Sequence, residues 1–233
     1  ESTYLNGDGF LIEVLPVATA SPAPEKTARV LIYHTHTHEA YAPTPENPYP
    51  ETEKWRTEDT NHSVVRVGAE LAEHLRALGV ETVHDTTDHE PPKLGTAYER
   101  SLQTLQKYAD TPFDLYIDLH RDAYSEEIQD VRAVSVGGVS VAQVMILVGD
   151  GEGFSPKPDT QANLDFARSL TDRMNEAAPG SCREVLLKPG RYNQHVASPA
   201  ILVEAGHNLN TLPEALRAME SLARAISQVL DHS

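Results

Sequence analysis

The chain has 233 residues, which suit one large domain, and its 39% hydrophobic and 23% charged content is that of soluble globular proteins. Its 35 acidic and 19 basic residues give a net charge of −16, which argues against nucleic acid or an anionic lipid surface as the main partner. Cys182 is the single cysteine, so an intrachain disulfide and a cysteine-rich zinc finger are both excluded.

The chain opens with a segment that does not resemble a domain core. Residues 18–26, ATASPAPEK, are rich in proline and alanine, and the preceding GFLIEVLPV predicts a short edge strand or hairpin. We therefore assign residues 1–26 to an N-terminal segment and linker, and residues 27–233 to one domain.

Strands and helices alternate in the rest of the chain. After the strand RVLIYH at 29–34, residues 41–53 contain four prolines and predict a long loop near the functional site. Further strands are predicted at 80–85, 115–120, 140–149, REVLLK and 199–206, and helices at 61–79, 97–109, 164–177 and 213–230. This order predicts an α/β fold, a single domain with a mostly parallel twisted sheet flanked by helices. The nearly continuous apolar run LYIDLH places its strand in the middle of that sheet.

Polar side chains follow three of these strands at the points where they end. The sequences are HTHTHE, IDLHRD and ILVEAGHN. Because reactive groups gather at the carboxyl ends of strands in such sheets, we expect these three segments to meet.

The first segment suggests a metal site. His34, His36 and His38 alternate, so they can share one face of an extended strand, and Glu39 completes an H-x-x-E pattern with His36. A catalytic zinc takes three nitrogen or oxygen ligands and leaves a fourth position for water. We predict that His36, Glu39 and His120 bind zinc; the alternative is a set of polar residues at strand ends that bind no metal.

Glu204 lies between Val203 and Ala205, where a carboxylate is costly to bury without a partner or a task. A carboxylate beside a zinc site can accept a proton from water and later donate it to a leaving amine. We predict this general acid–base role for Glu204. The alternative is a salt bridge to Arg121 or Arg100.

Six motifs in a fixed order carry a resemblance: IYHTHTHEAY, VVRVGAEL, YERSL, IDLHRDA, GRYNQ and LVEAGHNLNTLPEA. From about residue 29 to its end, the chain resembles the stage II sporulation protein P family of bacterial cell-wall hydrolases. The resemblance implies a zinc-dependent N-acetylmuramoyl-L-alanine amidase with a fold related to zinc amidases and carboxypeptidases. It implies His36 and His120 as zinc ligands, Glu204 as the catalytic carboxylate, and Glu39 as a residue that binds either metal or substrate.

One position departs from the family pattern, since family members usually carry Ser or Thr where His38 stands. The departure leaves open which imidazoles bind the metal, and His34 could compete for the metal or contact the substrate.

Four further residues are candidates for the site. Arg121 could stabilise an oxyanion or form an ion pair with Asp122 or Asp118, and Arg100 could anchor a substrate carboxylate or lie on a helix surface. Tyr192 and Asn193 are predicted to lie on a loop over the cleft and to contact substrate.

The resemblance also implies peptidoglycan as substrate, a lytic transglycosylase or membrane sporulation proteins as partners, and a role in engulfment. It implies an extracytoplasmic protein anchored to the membrane, with the anchor absent from this chain. Three alternatives stay open: a zinc peptidase acting on cell-wall peptides, an inactive peptidoglycan-binding module of the same fold, and a cytoplasmic α/β protein that binds no metal.

Overall fold

The computed structural model describes residues 3–5, 11–13, 27–123 and 132–231. The predicted linker at 18–26 lies outside the described residues. Strands β1 (Thr3–Leu5) and β2 (Leu11–Glu13) pair antiparallel in a two-stranded sheet of their own. β2 lies within the segment GFLIEVLPV, for which a short edge strand or hairpin is predicted, and its partner β1 lies upstream of that segment.

The main sheet has six strands, which are β3 (Arg29–Tyr33), β4 (Glu81–His84), β5 (Leu115–Asp122), β8 (Val144–Gly149), β9 (Leu186–Lys188) and β10 (Ala200–His207). Their order across the sheet is β4-β3-β5-β10-β8-β9. Only the pairing of β8 with β10 is antiparallel among these neighbours, so the predicted mostly parallel sheet is confirmed. β5 lies in the interior, as its apolar run indicates.

Helices cover both faces of the sheet. They are α1 (Val64–Ala77), α2 (Ala97–Gln106), α3 (Thr160–Ala177) and α4 (Leu212–Asp231). α1, α3 and α4 bury their apolar side chains in one cluster, which includes Val30 and Ile32 of β3, whereas Leu105 of α2 packs with Leu31 and Tyr33 in a second cluster. Both sets of alternating side chains in β3 are therefore buried, which is why the strand is apolar without interruption.

The predicted strand at 140–149 is two strands in the structure. Residues Val139–Ala142 form β7, which pairs antiparallel with β6 (Ala133–Val136), and β8 begins at Val144. Gly137 and Gly138 join β6 and β7 with φ angles of 59° and 85°, as a two-residue hairpin turn requires. The hairpin lies outside the main sheet, so β6 has no buried face. Its sequence therefore lacks the continuous apolar run from which a buried strand is predicted.

None of the described helices is both long enough and apolar enough to cross a membrane.

Candidate active site

The three segments that were expected to meet do so. β3, β5 and β10 are parallel neighbours, so their carboxyl ends lie at one edge of the sheet. His120 on β5 is in register with Glu204 on β10. The ring of His36 lies edge-on to that of His120, 5.3 Å away between centroids, and Glu39 Oε2 lies 3.3 Å from His120 Nδ1.

His120 is buried between two carboxylates. Its Nε2 lies 2.8 Å from Oδ1 of Asp118, while Nδ1 faces Glu39. Burial alone would lower the pKa of His120, but the charges of Asp118 and Glu39 outweigh it and raise the pKa well above its usual value. Asp118 is fixed in turn, because it accepts hydrogen bonds from the backbone N–H and the hydroxyl of Thr35 at 2.8 Å and 2.7 Å. His120 therefore has one orientation that the surrounding structure determines.

His36 is the second imidazole of the site. Its ring packs edge-on against Tyr98 at 5.7 Å, and its Nδ1 lies 4.0 Å from Glu90 Oε1. Burial, followed by the neighbouring His120, lowers the pKa of His36, so this imidazole is neutral near pH 7. Its buried Nδ1 has no hydrogen-bond partner among the described residues. A neutral imidazole with free lone-pair capacity is the form that binds a metal ion.

Glu39 joins the two histidines to the loop that follows β3. Its Oε2 accepts a hydrogen bond from the backbone N–H of Arg121 at 3.1 Å. Burial would raise the pKa of Glu39, but His120, which faces it, lowers the pKa to about 2. Glu39 is therefore ionised at any pH near neutrality.

Glu204 differs from the other carboxylates of the site. Its Oε2 is buried and accepts no hydrogen bond from any described residue. Burial raises its pKa to about 8, and the charge of Glu39 acts in the same direction while His120 opposes it. Neither Arg121 nor Arg100 forms an ion pair with it, so the salt-bridge alternative does not describe this carboxylate. A carboxyl group with a pKa near neutrality is suited to exchange protons.

The donor set suits a zinc ion. Two imidazoles and one carboxylate are a common protein ligand set for catalytic zinc. The 3.3 Å between His120 Nδ1 and Glu39 Oε2 is close to the separation of about 3.3 Å between two ligands of a tetrahedral zinc with bonds of about 2.0–2.1 Å. In their present rotamers, however, no three His, Cys, Asp or Glu side chains of the described residues surround one point closely enough to hold a metal.

The three histidines after β3 do not share a face. β3 ends at Tyr33, so His34 to His38 lie beyond the strand and do not alternate as strand residues would. His34 turns inward, where its Nδ1 lies 2.8 Å from the Leu119 carbonyl and its Nε2 lies 2.8 Å from His84 Nε2. Burial and the nearby His84 lower the pKa of His34 to about 3. With both nitrogens engaged and no exposure, His34 does not reach the substrate or the centre between His36 and His120.

His38 has a third environment. Its Nε2 lies 2.9 Å from Asp88 and its Nδ1 lies 3.3 Å from Glu90, on the outer side of the loop. Glu90 is itself buried, and it also forms an ion pair with Arg56. His38, the histidine that departs from the family pattern, therefore belongs to a cluster of polar and charged side chains that stabilises the loop after β3.

The two arginines singled out from the sequence hold loops in place. Arg121 donates to the carbonyls of Ala40 and Trp55 at 2.8 Å and 3.0 Å, and it pairs with neither Asp122 nor Asp118 among the described contacts. Asp122 pairs with Arg183 instead, at 2.8 Å. The guanidinium of Arg121 thus ties the loop that carries Glu39 to the end of β5.

Arg100 has a comparable role on the other side of the site. It donates to the carbonyls of His89, Glu90 and Lys93 at 2.6 to 2.9 Å and to the Thr96 hydroxyl at 2.7 Å. Nearly all of its donors are used inside the protein, so a substrate carboxylate would have to displace these bonds. Arg100 therefore stabilises the loop that carries Glu90.

Tyr192 and Asn193 lie on a loop beside the site, as expected from the sequence. The ring of Tyr192 packs against Tyr98 at 5.9 Å. The Asn193 amide donates to the Tyr98 carbonyl at 2.8 Å and to the Ser101 hydroxyl at 3.0 Å, and the residue is buried. Asn193 thus fixes the loop on α2, and Tyr192 is the member of the pair whose ring borders the cleft.

Asp118, Glu90 and Tyr98 belong to the site but were not identified from the sequence. Asp118 precedes His120 by two residues on one strand, so the period of two was a usable signal for their common face. Glu90 lies in the loop after β4, and Tyr98 lies in the first turn of α2. No spacing in the sequence connects either residue to His36.

Comparisons with known proteins identify the family and the fold of this chain. The model of the family "Stage II sporulation protein P" matches residues 16–227. Stage II sporulation protein P of Bacillus subtilis is 28% identical over 213 residues, which are 86% of this chain and 50% of that protein. The chain therefore spans about half the length of this curated relative.

Solved structures with a similar fold include amidases and a carboxypeptidase. The CwlD amidase of Clostridioides difficile, solved in complex with the GerS lipoprotein, has a TM-score of 0.56 at 12% identity, covering 89% of this chain and 100% of that one. The catalytic domain of CwlV, an N-acetylmuramoyl-L-alanine amidase from Paenibacillus polymyxa, has a TM-score of 0.52 at 13% identity, with 89% and 100% covered. A metallo-carboxypeptidase from Burkholderia cenocepacia has a TM-score of 0.51 at 10% identity, covering 91% and 59%. At these identities the likeness shows the fold, and the predicted amidase and carboxypeptidase-like architecture is confirmed.

Proposed function

Since this chain belongs to the stage II sporulation protein P family, we propose that it is a zinc-dependent peptidoglycan hydrolase that cleaves the amide between N-acetylmuramic acid and L-alanine. The observation that carries the proposal is the position of Glu204. This carboxylate has a buried oxygen without a hydrogen-bond partner among the described residues, and it lies in register with His120 at the carboxyl edge of the sheet. His120 in turn contacts His36 and Glu39.

His36, Glu39 and His120 are the residues that would hold zinc. When bound, zinc acts as a Lewis acid and brings the pKa of water close to neutrality. Asp118 contributes by orienting His120, since ligand histidines commonly give their second nitrogen to a carboxylate. The surrounding burial excludes bulk water and so strengthens each of these electrostatic contacts.

Glu204 is proposed to move the proton that hydrolysis requires. As a carboxylate, its Oε2 accepts a proton from the water that attacks the lactyl amide carbonyl. The same oxygen then gives that proton to the nitrogen of the departing L-alanine amine as the C–N bond breaks. A single group performs both transfers because the proton that leaves the water is the one that the amine needs.

The alternative activity would use the same residues at this edge of the sheet. A zinc peptidase acting on stem or cross-link peptides differs only in which amide the cleft accepts. Because the fold is also similar to that of the metallo-carboxypeptidase from Burkholderia cenocepacia, the experiment below distinguishes the peptidase from the amidase. We propose peptidoglycan as the substrate in either case, and a site of action outside the cytoplasmic membrane.

Mass spectrometry of digested peptidoglycan decides between the activities. The purified chain is incubated with zinc and insoluble peptidoglycan, and the soluble and glycan fractions are analysed. Glycan without peptide, together with peptides that carry a free N-terminal L-alanine, identifies an amidase. An intact lactyl linkage with shortened peptides identifies a peptidase, and no cleavage by a protein that binds zinc identifies a binding module, which contradicts the proposal.

A further inference from the structure

A groove of about 440 Å³ lies between the beginning of α2 and the loop that precedes β10. Its walls are mainly aromatic and aliphatic, with charges at the rim. They include Tyr98, Glu99, Leu102, Phe154, Arg191 and Tyr192.

The groove leads away from the proposed catalytic residues. Tyr98 forms the inner end of the groove, where its ring centroid lies 5.7 Å from that of His36. The ring of Tyr192 comes next, with its centroid 5.9 Å from that of Tyr98. The two ring contacts follow one another from His36 outward, so a molecule held at His36 can continue over both rings.

The wall that carries Tyr192 is fixed before any ligand arrives. Tyr192 and Asn193 have φ angles of 46° and 54°, in the left-handed region that non-glycine residues rarely adopt. Asn193 holds this turn on α2 through Tyr98 and Ser101. Gln194 holds its other side on β8, because its side chain accepts from Gly149 N–H at 2.8 Å and donates to the Leu147 carbonyl at 3.0 Å. A wall anchored on two elements costs little further ordering when a ligand binds.

Arg191 places a positive charge at the outer end of the groove. Its guanidinium lies 5.3 Å from the ring centre of Phe154 and makes one long hydrogen bond, 3.5 Å, to the Ser155 carbonyl. No carboxylate of the described residues lies within ion-pair distance of it. In a chain with a net charge of −16, an anionic ligand is repelled in general, so a cation without an acidic partner marks a place where a carboxylate can bind.

We propose that this groove is the subsite for an acidic stem peptide, and that Arg191 binds one of its carboxylates. The inference rests on the proposed function for the position of the scissile bond. An extended peptide advances about 3.3–3.6 Å per residue, so the two ring contacts beyond His36 correspond to about three residues. The carboxylate that reaches Arg191 is therefore expected near the third peptide residue, with the aliphatic parts of the peptide on Tyr98, Tyr192 and Leu102. A neutral glycan strand would have no use for this charge.

The test measures binding, so that it does not depend on turnover. The chain carrying Glu204→Gln is titrated calorimetrically, with zinc present, against two synthetic muramyl tripeptides. One has a free carboxyl group on the third residue and the other has the same group as a carboxamide. Arg191→Gln and Arg191→Lys are added to this background, and Arg224→Gln is the matched control, since Arg224 is an exposed arginine of α4 that pairs with Glu220.

We expect the carboxylate peptide to bind at least about tenfold more tightly than the carboxamide, as for a charge-assisted hydrogen bond. Arg191→Gln should remove this preference by weakening the carboxylate peptide alone, Arg191→Lys should keep part of it, and Arg224→Gln should leave it unchanged. Equal binding of both peptides, or a preference that survives Arg191→Gln, overturns the subsite. If the preference depends on Arg191 while the unsubstituted chain hydrolyses no peptidoglycan, the subsite stands and the proposed activity fails.

Discussion

Glu204 and His120 occupy paired positions on β10 and β5, two parallel strands that are joined in register at the centre of the sheet. Side chains at paired positions point to the same face, so the relationship between the two groups is set by the sheet rather than by a loop. The neighbouring pair, Val203 and Leu119, is fully buried and fixes the same register from below. The relative position of the acid–base group and a proposed zinc ligand is therefore determined by two central strands of the sheet, which suits a proton transfer in the site.

The Glu204→Gln variant should lose hydrolysis of peptidoglycan by at least about 100-fold, because the amide cannot accept or return the proton. It should keep its fold and its zinc stoichiometry, since Glu204 is not among the proposed ligands. The measurements are release of peptide from insoluble peptidoglycan and metal content after gel filtration. Glu73→Gln on the exposed side of α1 is the matched control, and turnover in the Glu204 variant equal to that of the control would refute the role.

The same substitution should have the opposite effect on the stability of the zinc-free protein. Burial raises the pKa of Glu204 from 4.5 to about 8, so the folded state binds more protons than the unfolded state between these values. Stability therefore falls as the pH rises through this window, and glutamine removes that loss. In EDTA, Glu204→Gln should melt higher than the unsubstituted chain, with a difference that grows from pH 5 to pH 8 and reaches at least about 2–4 °C, which corresponds to about 1 kcal/mol. A constant difference across this range would contradict the pKa shift.

Asp118 should be needed for zinc affinity although it is not a proposed ligand. Asp118→Asn keeps the size of the side chain and a hydrogen bond from Thr35, but it removes the charge that faces His120 Nε2 at 2.8 Å. Loss of such an orienting carboxylate typically weakens metal binding by about 10–100-fold. Competition with a chromogenic chelator measures the affinity directly. Asp85→Asn, at the end of β4 and bonded to Tyr108, is the control and should bind zinc as the unsubstituted chain does; equal affinities for the two variants would show that Asp118 has no such role.

The sheet and the meeting of its strand ends could be predicted because both depend on local patterns. Apolar runs that end in HTHTHE, IDLHRD and ILVEAGHN are enough to place His36, His120 and Glu204 at one edge. The paths of residues beyond a strand end could not be predicted, since they depend on partners that are distant in the chain. His34 turns inward toward His84, and Arg121 reaches the Trp55 carbonyl.

The same limit applies to the guanidinium groups and to exposed hairpins. The sequence allows Arg100 to bind a substrate carboxylate, because it does not show where backbone carbonyls point. In the structure, three carbonyls of residues 89–93 accept hydrogen bonds from its guanidinium. The β6–β7 hairpin had a usable signal in Gly137 and Gly138, flanked by alternating Val and Ser. The long apolar run into β8 conceals this signal, because one strand over 140–149 accounts for the same residues.

Gly68 of α1 faces the contacting pair of His34, which is buried, and His84, which is partly buried. A Cβ at this position would lie 2.6 Å from His34 Nε2 and 2.7 Å from His84 Nε2, closer than real contacts allow. An exchange of Gly for Ala inside a helix ordinarily stabilises a protein by up to about 1 kcal/mol, whereas a side chain forced into a filled interior costs about 1–3 kcal/mol. The steric cost should prevail here, because His34 cannot retreat without giving up its contact with the Leu119 carbonyl.

Gly68→Ala is therefore expected to lower the free energy of unfolding by about 1–2 kcal/mol, and to weaken zinc binding as well. The second effect follows from position, because Leu119 immediately precedes His120 and His34 lies two residues before His36. Urea unfolding measures the first effect and chelator competition the second. Gly95→Ala is the matched control, since its φ is not left-handed and the nearest atom, Cε of Lys93, is 3.9 Å from the added Cβ; it should change the unfolding free energy by no more than about 0.5 kcal/mol. If Gly68→Ala proved as stable as this control, His34 and His84 would not be packed against the helix as the structure shows.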